Sequence, residues 1–237
     1  MVSTKRRDVM NIAVIPARGG SVRIPRKNVR DFCGKPMIAW PIKIAKDSGL
    51  FDRILVSTDD EEIAEKSKHF GAEVPFMRPK NLSDDYTGII DVMSHAVTWM
   101  SNKKWKINAV CCIYPTSIFL TINDLKKGLE LLNTENWSYT FSATEFEHSI
   151  FRSFKVLPNG GVEMFFPENY SARSQDLPEA LHDAAQFYWG NPECWIKNMK
   201  IFESYSYPIK IPFWRVQDID TENDFKKAEI LFKSLKQ

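Results

Sequence analysis

A glycine loop with fixed positive charge follows the first apolar run of the chain. Residues 12–21 read IAVIPARGGS, and Arg23, Arg26 and Lys27 follow closely. The two glycines accept backbone angles closed to other residues and leave their N–H groups unobstructed, while arginine and lysine supply counter-charge to phosphoryl oxygens. These residue types in this order predict a site that holds a polyphosphate.

The loop matches neither standard phosphate-binding class. The sequence contains no Gly-x-x-x-x-Gly-Lys-Ser/Thr motif, and it lacks the Gly-x-Gly-x-x-Gly dinucleotide fingerprint. The alternative interpretation of these residues alone is a strand that ends in a glycine turn beside a solvated basic surface. The concentration of cations around two glycines favours the phosphate site.

A pair of carboxylates lies near the other end of the chain. Asp218 and Asp220 are two residues apart in an extended segment, where alternation turns both side chains to one face. Mg²⁺ takes one or two carboxylates together with substrate phosphates, so the pair complements a polyphosphate loop. The alternative is that Asp220 helps to cap the last helix while Asp218 lies in water. Together with the loop, the pair favours a magnesium site, with Mn²⁺ as an alternative ion.

Two further loops leave predicted strands where α/β sheets place their ligands. Residues 78–86, RPKNLSDDY, follow one strand and precede a helix, and residues 114–117, YPTS, leave another strand. Backbone groups of the first loop are suited to contact the edge of a base. Ordinary turn and capping chemistry is the alternative for both loops.

A guanidinium, acids, amides and aromatic rings are combined in residues 173–176, RSQD, and residues 182–189, HDAAQFYW. These groups suit an acidic, hydroxyl-rich ligand such as a sugar acid, whose carboxylate would favour Arg173. The alternatives are a structural role for His182 and a core strand formed by the Phe-Tyr-Trp run.

The composition is that of an ordinary globular enzyme. The chain has 237 residues, of which 43% are hydrophobic and 26% charged. Its 32 Lys and Arg residues against 30 Asp and Glu give a net charge of +2, too small for a nucleic-acid footprint. No apolar run approaches the roughly 18 residues of a membrane span, and no signal peptide is recognised. We therefore expect a cytoplasmic protein with neither a nucleic-acid nor a membrane partner.

Apolar β-rich runs alternate with helical patterns along most of the chain, which is typical of βαβ units around a mostly parallel sheet. We expect strands or extended segments at residues 11–16, 53–57, 74–77, 109–114 and 209–216. We expect helices at residues 36–49, from 59–60 to 71, 89–100, 122–132, from 191–192, and after the cap at 221.

We expect a polar leader, residues 1–10, followed by a single domain, residues 11–237. From about residue 139 to residue 190 the pattern changes to aromatic-rich extended segments, with a PNGG turn at residues 158–161. We expect this part to leave the main sheet, either as an arm that forms a homodimer or as a buried local hairpin.

Six motif groups occur in the order found in one enzyme family. They are IPARGGS with RIPRKN, VSTDDEEIA, GAEVPFMRP, IYPTS, RSQDLP with HDAAQFYW, and QDIDTENDF, and they span Asn11 to about Leu235. In this order they resemble the cytidylyltransferases that activate nonulosonic acids, the sialic-acid-like sugars. The resemblance implies a three-layer α/β/α fold, like the nucleotide-diphospho-sugar transferases and Rossmann-like, with a mostly parallel sheet and a small β-rich dimerisation excursion.

The resemblance also implies a reaction. The anomeric hydroxyl of the sugar attacks the α-phosphate of CTP, pyrophosphate leaves, and a CMP-sugar results. The segment HDAAQFYW favours pseudaminic acid as the sugar, with sialic, legionaminic and 3-deoxy-octulosonic acid as alternatives. A catalytically impaired CTP-binding protein is a further alternative, because Val22 stands where the family usually has lysine. Ala185 stands where glycine is common, and Phe225 replaces a frequent tryptophan.

Individual roles follow from the resemblance by position. The nucleotide-binding residues are expected to be Arg18, Gly19, Gly20, Ser21, Lys27, Asn28, Leu82, Ser83, Asp85 and Thr116. The sugar-binding residues are expected to be Arg78, Arg173, His182, Asp183, Gln186 and Tyr188. Magnesium is assigned to Asp218 and Asp220, and catalysis to these two residues with Arg18 and Lys27. No dedicated protein base is then required, because the ion lowers the pKa of the attacking hydroxyl or of a bound water.

Overall fold

The computed structural model describes residues 9–235, so most of the predicted polar leader, residues 1–10, lies outside the described residues. The strands are β1 Met10–Pro16, β2 Asp31–Phe32, β3 Lys35–Pro36, β4 Arg53–Ser57, β5 Ile107–Ile113, β6 Tyr139–Glu145, β7 Phe154–Val156, β8 Val162–Met164, β9 Leu181–Gly190 and β10 Ser206–Lys210. The α-helices are α1 Ala39–Ser48, α2 Glu61–His69, α3 Ile89–Asn102, α4 Ile122–Thr134, α5 Pro192–Ile196 and α6 Glu222–Ser234.

Six strands form one sheet in the order β10-β6-β9-β5-β1-β4. The pairs β1/β4, β1/β5 and β10/β6 are parallel, whereas β9 is antiparallel to both β5 and β6. The predicted mostly parallel sheet is confirmed. Because β1, β4 and β5 run in the same direction, the loops after their carboxyl ends emerge at one edge of the sheet.

The sheet is covered by helices on both faces. Along β1, Ala13 and Ile15 pack in one core cluster with residues of α1, α2 and α4, while Ile12 and Val14 pack in another with residues of α3 and α5. Alternation along the strand sends successive side chains to opposite faces. The predicted three-layer α/β/α architecture is therefore confirmed.

A third core cluster joins the two ends of the chain. The fully buried Ile219 packs with Ile24, from the segment after β1, and with Phe225 of α6. The ring of Phe32 meets that of Phe225 edge to face, with 5.4 Å between centroids. Each such buried apolar side chain contributes about 1.5–3 kcal/mol. This cluster fixes the position of α6, and of the segment before it, against the glycine loop.

The first helix begins later than predicted. Residues 36–49 were expected to be helical, but Pro36 pairs with Asp31 in the β2/β3 ladder and α1 starts at Ala39. The reason is Pro41, whose missing N–H is tolerated only in the first turn of a helix. The helix ends as predicted at Gly49, which has a φ of 63°.

The predicted extended segment at residues 209–216 is also displaced. β10 covers Ser206–Lys210, and Phe213–Arg215 form a 3₁₀ turn instead of continuing the strand. Pro212 has no N–H to donate to a ladder, which accounts for the end of the strand.

The prediction that residues 139–190 leave the main sheet is wrong in extent. β6 and β9 are central strands of that sheet, and only the segment between them leaves it. Aromatic side chains such as Tyr139 and Trp189 are fully buried in the two main clusters rather than displayed on an arm. The excursion is the small β7/β8 hairpin, whose PNGG turn is closed by the Leu157 N–H donating to the Gly161 carbonyl at 2.8 Å.

Ala185 has a left-handed backbone, with a φ of 48°, where the pairing of β9 with β6 shifts register. This conformation costs a non-glycine residue about 1–2 kcal/mol. Glycine, which is common at this position in the family, would adopt this φ freely, so backbone strain is the consequence of having alanine here.

We expect Ala185→Gly to raise the free energy of unfolding by about 0.5–1 kcal/mol in urea denaturation, because relief of strain exceeds the extra entropy of an unfolded glycine. Ala184→Gly is the matched control, since Ala184 is buried and is not among the described residues with positive φ. It should destabilise the protein. Equal destabilisation by both changes would contradict the interpretation.

Candidate active site

An open cavity of about 620 Å³ lies where the loops after β1 and β5 meet the segment before α6. Its volume is within the range of about 300–1,000 Å³ typical of ligand pockets. Nine of the predicted site residues line it: Arg18, Ser21, Lys27, Asn28, Arg78, Asp85, Thr116, Asp218 and Asp220.

Lys27 joins the glycine loop to the carboxylate pair. Its ammonium donates to the Ile219 carbonyl at 2.7 Å and lies 3.7 Å from an oxygen of Asp220. The guanidinium of Arg23 approaches the other oxygen of Asp220 at 2.6 Å. Burial lowers the pKa of Lys27, and the charges of Asp220 and Asp218 oppose that shift. Cations from the start of the chain and anions from its end therefore meet in one cavity.

The two aspartates face the cavity from either side of the buried Ile219. Burial, and then the charge of Asp220, raises the pKa of Asp218. Residues 9–235 contain no group of three or more His, Cys, Asp or Glu residues that could hold a metal. Two mutually repelling carboxylates fit Mg²⁺, which needs only one or two when substrate phosphates supply further ligands.

The alternative role of Asp220, as a helix cap, is filled by other residues. Thr221 caps α6 as predicted, in a capping box with Asp224, and Thr121 forms the same arrangement with Asp124 at the start of α4. The backbone N–H of Asp220 donates to Asp224 at 3.3 Å, which leaves the Asp220 carboxylate directed to Arg23 and Lys27.

Asn28 holds the glycine loop through a side-chain hydrogen bond. Its side-chain amide donates to the Arg18 carbonyl at 2.9 Å, and its Oδ1, although buried, has no hydrogen-bond partner in the described part of the chain. A buried polar atom without a partner is costly, and at the wall of a cavity it offers an acceptor to a ligand. This geometry suits the nucleotide-binding role expected for Asn28.

Three residues of the predicted phosphate site do not line the cavity. The N–H of Gly19 donates to an oxygen of Asp59 at 3.0 Å, so it is not open to a phosphate. Arg26 pairs with Asp60 and Glu62 at the start of α2 and does not line the cavity. Gly20 is exposed and is not among the lining residues either. The cations that line the cavity after β1 are thus Arg18, Arg23 and Lys27.

The loop predicted to contact a base, residues 78–86, reaches the cavity at its two ends, Arg78 and Asp85. Asp85 lines the cavity and pairs with Arg18 at 2.5 Å. Leu82 ends a 3₁₀ turn, and the Ser83 hydroxyl donates to the Pro79 carbonyl at 3.0 Å, so neither side chain lines the cavity.

Arg78, expected at the sugar, lies instead in the wall of this first cavity. It is 6% exposed, and its Nη2 is 4.0 Å from the Asp59 carboxylate. Its Nε and Nη2 have no hydrogen-bond partner among the described residues. Arg78 therefore presents unused donors to the same space as the loop cations.

The remaining five sugar-site residues are not all together. Arg173 is exposed and pairs with Asp176, and the Gln186 amide donates to the Arg215 carbonyl at 2.8 Å. His182 and Asp183 line a second cavity, of about 590 Å³, bordered by β6, β9 and β10. The structure thus separates Arg173 and Gln186 from the histidine–aspartate pair.

Two tyrosines lie between the two cavities. The Tyr188 hydroxyl donates to Asp183 at 2.5 Å, and its ring packs against that of Tyr114, which lines the first cavity, with 5.5 Å between centroids. Burial raises the pKa of both tyrosines, which keeps their hydroxyls protonated as donors. Tyr114 was not among the predicted site residues, although its loop was singled out; the signal was its position directly after a buried strand.

Known proteins of one enzyme family are similar to this chain over most of its length. The sequence model of the cytidylyltransferase family matches residues 12–229. Pseudaminic acid cytidylyltransferase of Campylobacter jejuni subsp. jejuni serotype O:23/36 (strain 81-176) is 44% identical over 94% of this chain and 96% of its own length. N-acylneuraminate cytidylyltransferase A of Danio rerio is 32% identical over 96% of this chain and 52% of its own length.

Two solved structures show the same fold at low sequence identity. CMP:2-keto-3-deoxy-manno-octonic acid synthetase complexed with CTP has a TM-score of 0.70 and 17% identity, over 95% of this chain and 99% of that one. The 4-diphosphocytidyl-2C-methyl-D-erythritol synthase of Anaerococcus prevotii has a TM-score of 0.62 and 12% identity, over 98% and 100% of the two chains.

Within residues 9–235, none of the helices combines the length and the apolar character needed to cross a bilayer. The family match covers the glycine loop, both cavities and the aspartate pair. The chain belongs to the cytidylyltransferase family.

Proposed function

We propose that this protein transfers CMP from CTP to the anomeric hydroxyl of pseudaminic acid, in the presence of Mg²⁺, and releases pyrophosphate. The observation that carries the proposal is the meeting of Lys27 with Asp220 in one cavity, 3.7 Å apart. The 44% identity to a pseudaminic acid cytidylyltransferase, over nearly the full length of both chains, supports the choice of sugar.

The residues of the first cavity are suited to hold a nucleoside triphosphate with its metal. Arg18, Arg23 and Lys27 would bind the phosphoryl oxygens, and Asp218 with Asp220 would hold Mg²⁺. When bound, the ion neutralises triphosphate charge and lowers the pKa of a hydroxyl in its coordination sphere. The role left to the side chains is positioning, which supplies most of the catalysis in phosphoryl transfer.

The second cavity is suited to hold the sugar acid. Asp183 and His182 line it, and Tyr188, which donates to Asp183, packs against Tyr114 in the wall of the first cavity. A sugar held there would direct its anomeric hydroxyl toward the nucleotide. Asp183, with its Oδ2 already accepting from Tyr188, would orient the sugar rather than remove its proton.

The direct test is pyrophosphate release from CTP and Mg²⁺ with a panel of sugar acids. We expect the highest kcat/KM with pseudaminic acid and much lower values with sialic, legionaminic and 3-deoxy-octulosonic acid. A different preferred sugar would reassign the substrate but retain the reaction. No pyrophosphate with any sugar, combined with tight CTP binding in a calorimeter, would support the impaired CTP-binding alternative.

Val22, which stands where the family usually has lysine, leads to a prediction about the contacts to the phosphates of CTP. Its side chain is 75% exposed at the mouth of the first cavity, beside Arg23. We expect Val22→Lys to lower the KM for CTP by about 2- to 5-fold, which is the strength of an exposed charge pair, and the gain should fade at high salt. Val22→Gln, of similar length but uncharged, should leave KM unchanged. No gain from the lysine would mean that Arg23 already supplies the contact.

A homodimer formed through the β7/β8 hairpin is part of the same proposal. Phe154, Val156, Val162 and Phe165 of this segment are between 58% and 73% exposed. A concentration of apolar side chains on one projecting hairpin is typical of a protein–protein contact. Light scattering should give the mass of two chains, and the mass of one chain would contradict the dimer. The cytoplasmic location stays a prediction.

A further inference from the structure

We propose that Asp59 and Asp60, at the corner between β4 and α2, are positioning residues that set the shape of the glycine loop and of the Arg78 side chain. The proposal depends on the proposed function only in that this loop binds CTP. The contacts that define the corner are all made between residues of this chain. They give the motif VSTDDEEIA a role beyond capping a helix.

Asp59 holds two parts of the first cavity at once. Its Oδ1 accepts the N–H of Gly19 at 3.0 Å and lies 4.0 Å from Nη2 of Arg78. Arg78 is buried, and Asp59 is the carboxylate that opposes the desolvation of its guanidinium. A carboxylate in this position fixes a peptide plane of the loop and the direction of a cation in the cavity wall.

Asp60 holds the other side of the loop. It caps α2 by accepting the Ile63 N–H at 2.9 Å, and its two oxygens accept from Arg26 at 2.5 and 3.0 Å. Arg26 itself has a left-handed backbone, with a φ of 56°. The residue that pairs with Asp60 therefore lies in a strained turn. The N-terminus of α2 stabilises the negative charge of Asp60, and this carboxylate in turn holds Arg26 in place.

The loop rests directly on this corner. A Cβ added to Gly19 would lie 2.7 Å from Oδ2 of Asp60 and 2.9 Å from its Cβ, whereas one added to Gly20 would meet nothing within 4 Å. The first glycine is therefore required by close approach to Asp60 and not by access to phosphate.

Backbone hydrogen bonds tie the corner to both cavity segments. The Ala17 N–H donates to the Ser57 carbonyl at 2.9 Å, and the Arg78 N–H donates to the Thr58 carbonyl at 2.7 Å. Removal of the Asp59 carboxylate should then release the loop without disturbing the strands, because these backbone bonds remain.

The experiment compares Asp59→Ala, Asp59→Asn and Glu61→Gln. Glu61 follows Asp59 and Asp60 at the start of α2, is exposed, and forms no side-chain hydrogen bond or ion pair within residues 9–235. The first readout is hydrogen–deuterium exchange of the peptide covering residues 17–24 in the protein without nucleotide. The second is the KM for CTP and kcat, measured by pyrophosphate release with pseudaminic acid.

For Asp59→Ala we expect about 10-fold faster exchange in this peptide and a KM for CTP raised about 10-fold, from the loss of one charge-assisted hydrogen bond. The KM for the sugar should not change. Asp59→Asn retains an acceptor for Gly19, so exchange should return to the wild-type rate while KM for CTP stays raised, because Arg78 has lost its counter-charge. Glu61→Gln should match the wild type in both readouts.

Wild-type exchange in Asp59→Ala would overturn the proposal, as would equal acceleration in Glu61→Gln. Faster exchange throughout the protein, including the β5 peptide, would mean general destabilisation and would also count against a local role. If the wild-type enzyme releases no pyrophosphate, the proposed function fails, but the exchange rates still decide whether Asp59 positions the loop.

Discussion

Asp220→Asn should lower kcat for pyrophosphate release by at least about 1,000-fold. Its carboxylate is the point at which Arg23, Lys27 and the expected Mg²⁺ converge, and the amide oxygen of asparagine is a poorer and uncharged ligand. Loss of the charge that holds a metal at a developing transition state is worth several kcal/mol. The fold should be retained, because α6 is capped by Thr221 and Asp224.

Asp224→Asn is the matched control for this change. Asp224 lies four residues further along and accepts from the Thr221 N–H at 2.8 Å, but it does not line the cavity. The Asp224→Asn change should lower the free energy of unfolding by about 1 kcal/mol, because the cap of α6 is weakened, and it should keep kcat within a few-fold of the wild-type value. An Asp220→Asn enzyme with a tenth or more of wild-type kcat would show that this carboxylate is not central.

Lys27→Met should lower kcat/KM for CTP by about 100- to 1,000-fold, which is the usual cost of removing one charged donor from a transition-state site. Methionine keeps the length of the apolar stem, so the packing around Lys27 should survive. What is lost is the ammonium that donates to the Ile219 carbonyl and faces Asp220. Steady-state pyrophosphate release at saturating sugar measures the effect.

The control for this change is Lys35→Met. Lys35 is a neighbouring cation whose ammonium lies over the Trp40 ring, 5.5 Å from the centroid, and it does not line the cavity. Its replacement should leave kcat/KM for CTP close to the wild-type value. If Lys27→Met lowered kcat/KM for CTP no more than Lys35→Met does, Lys27 would have a structural role only.

Local features of the structure could be predicted from the sequence because they depend on neighbouring residues. The capping boxes at Thr121 and Thr221 and the helix end at Gly49 each follow from a few adjacent side chains. The glycine loop and the aspartate pair could be recognised for the same reason, since each is a short motif with a defined chemistry.

The directions of single side chains could not be predicted in the same way. Arg26 belongs to the basic loop by sequence, but it turns away because Asp60 and Glu62 lie beside it in space. Gln186 was assigned to the sugar together with Asp183 from the family resemblance, but the bulge around Ala185 interrupts the alternation of β9. Such a shift changes which neighbours a side chain meets, and short-range patterns do not reveal it.

The most direct test of the claim that both ends of the chain hold one metal-bound nucleotide is calorimetric titration of CTP with and without Mg²⁺. Wild-type protein and the double variant Asp218→Asn with Asp220→Asn are compared. We expect Mg²⁺ to tighten CTP binding by about 10-fold or more in the wild type and not at all in the variant, while metal-free binding to the loop cations persists in both. An equal gain from Mg²⁺ in the variant would contradict the claim.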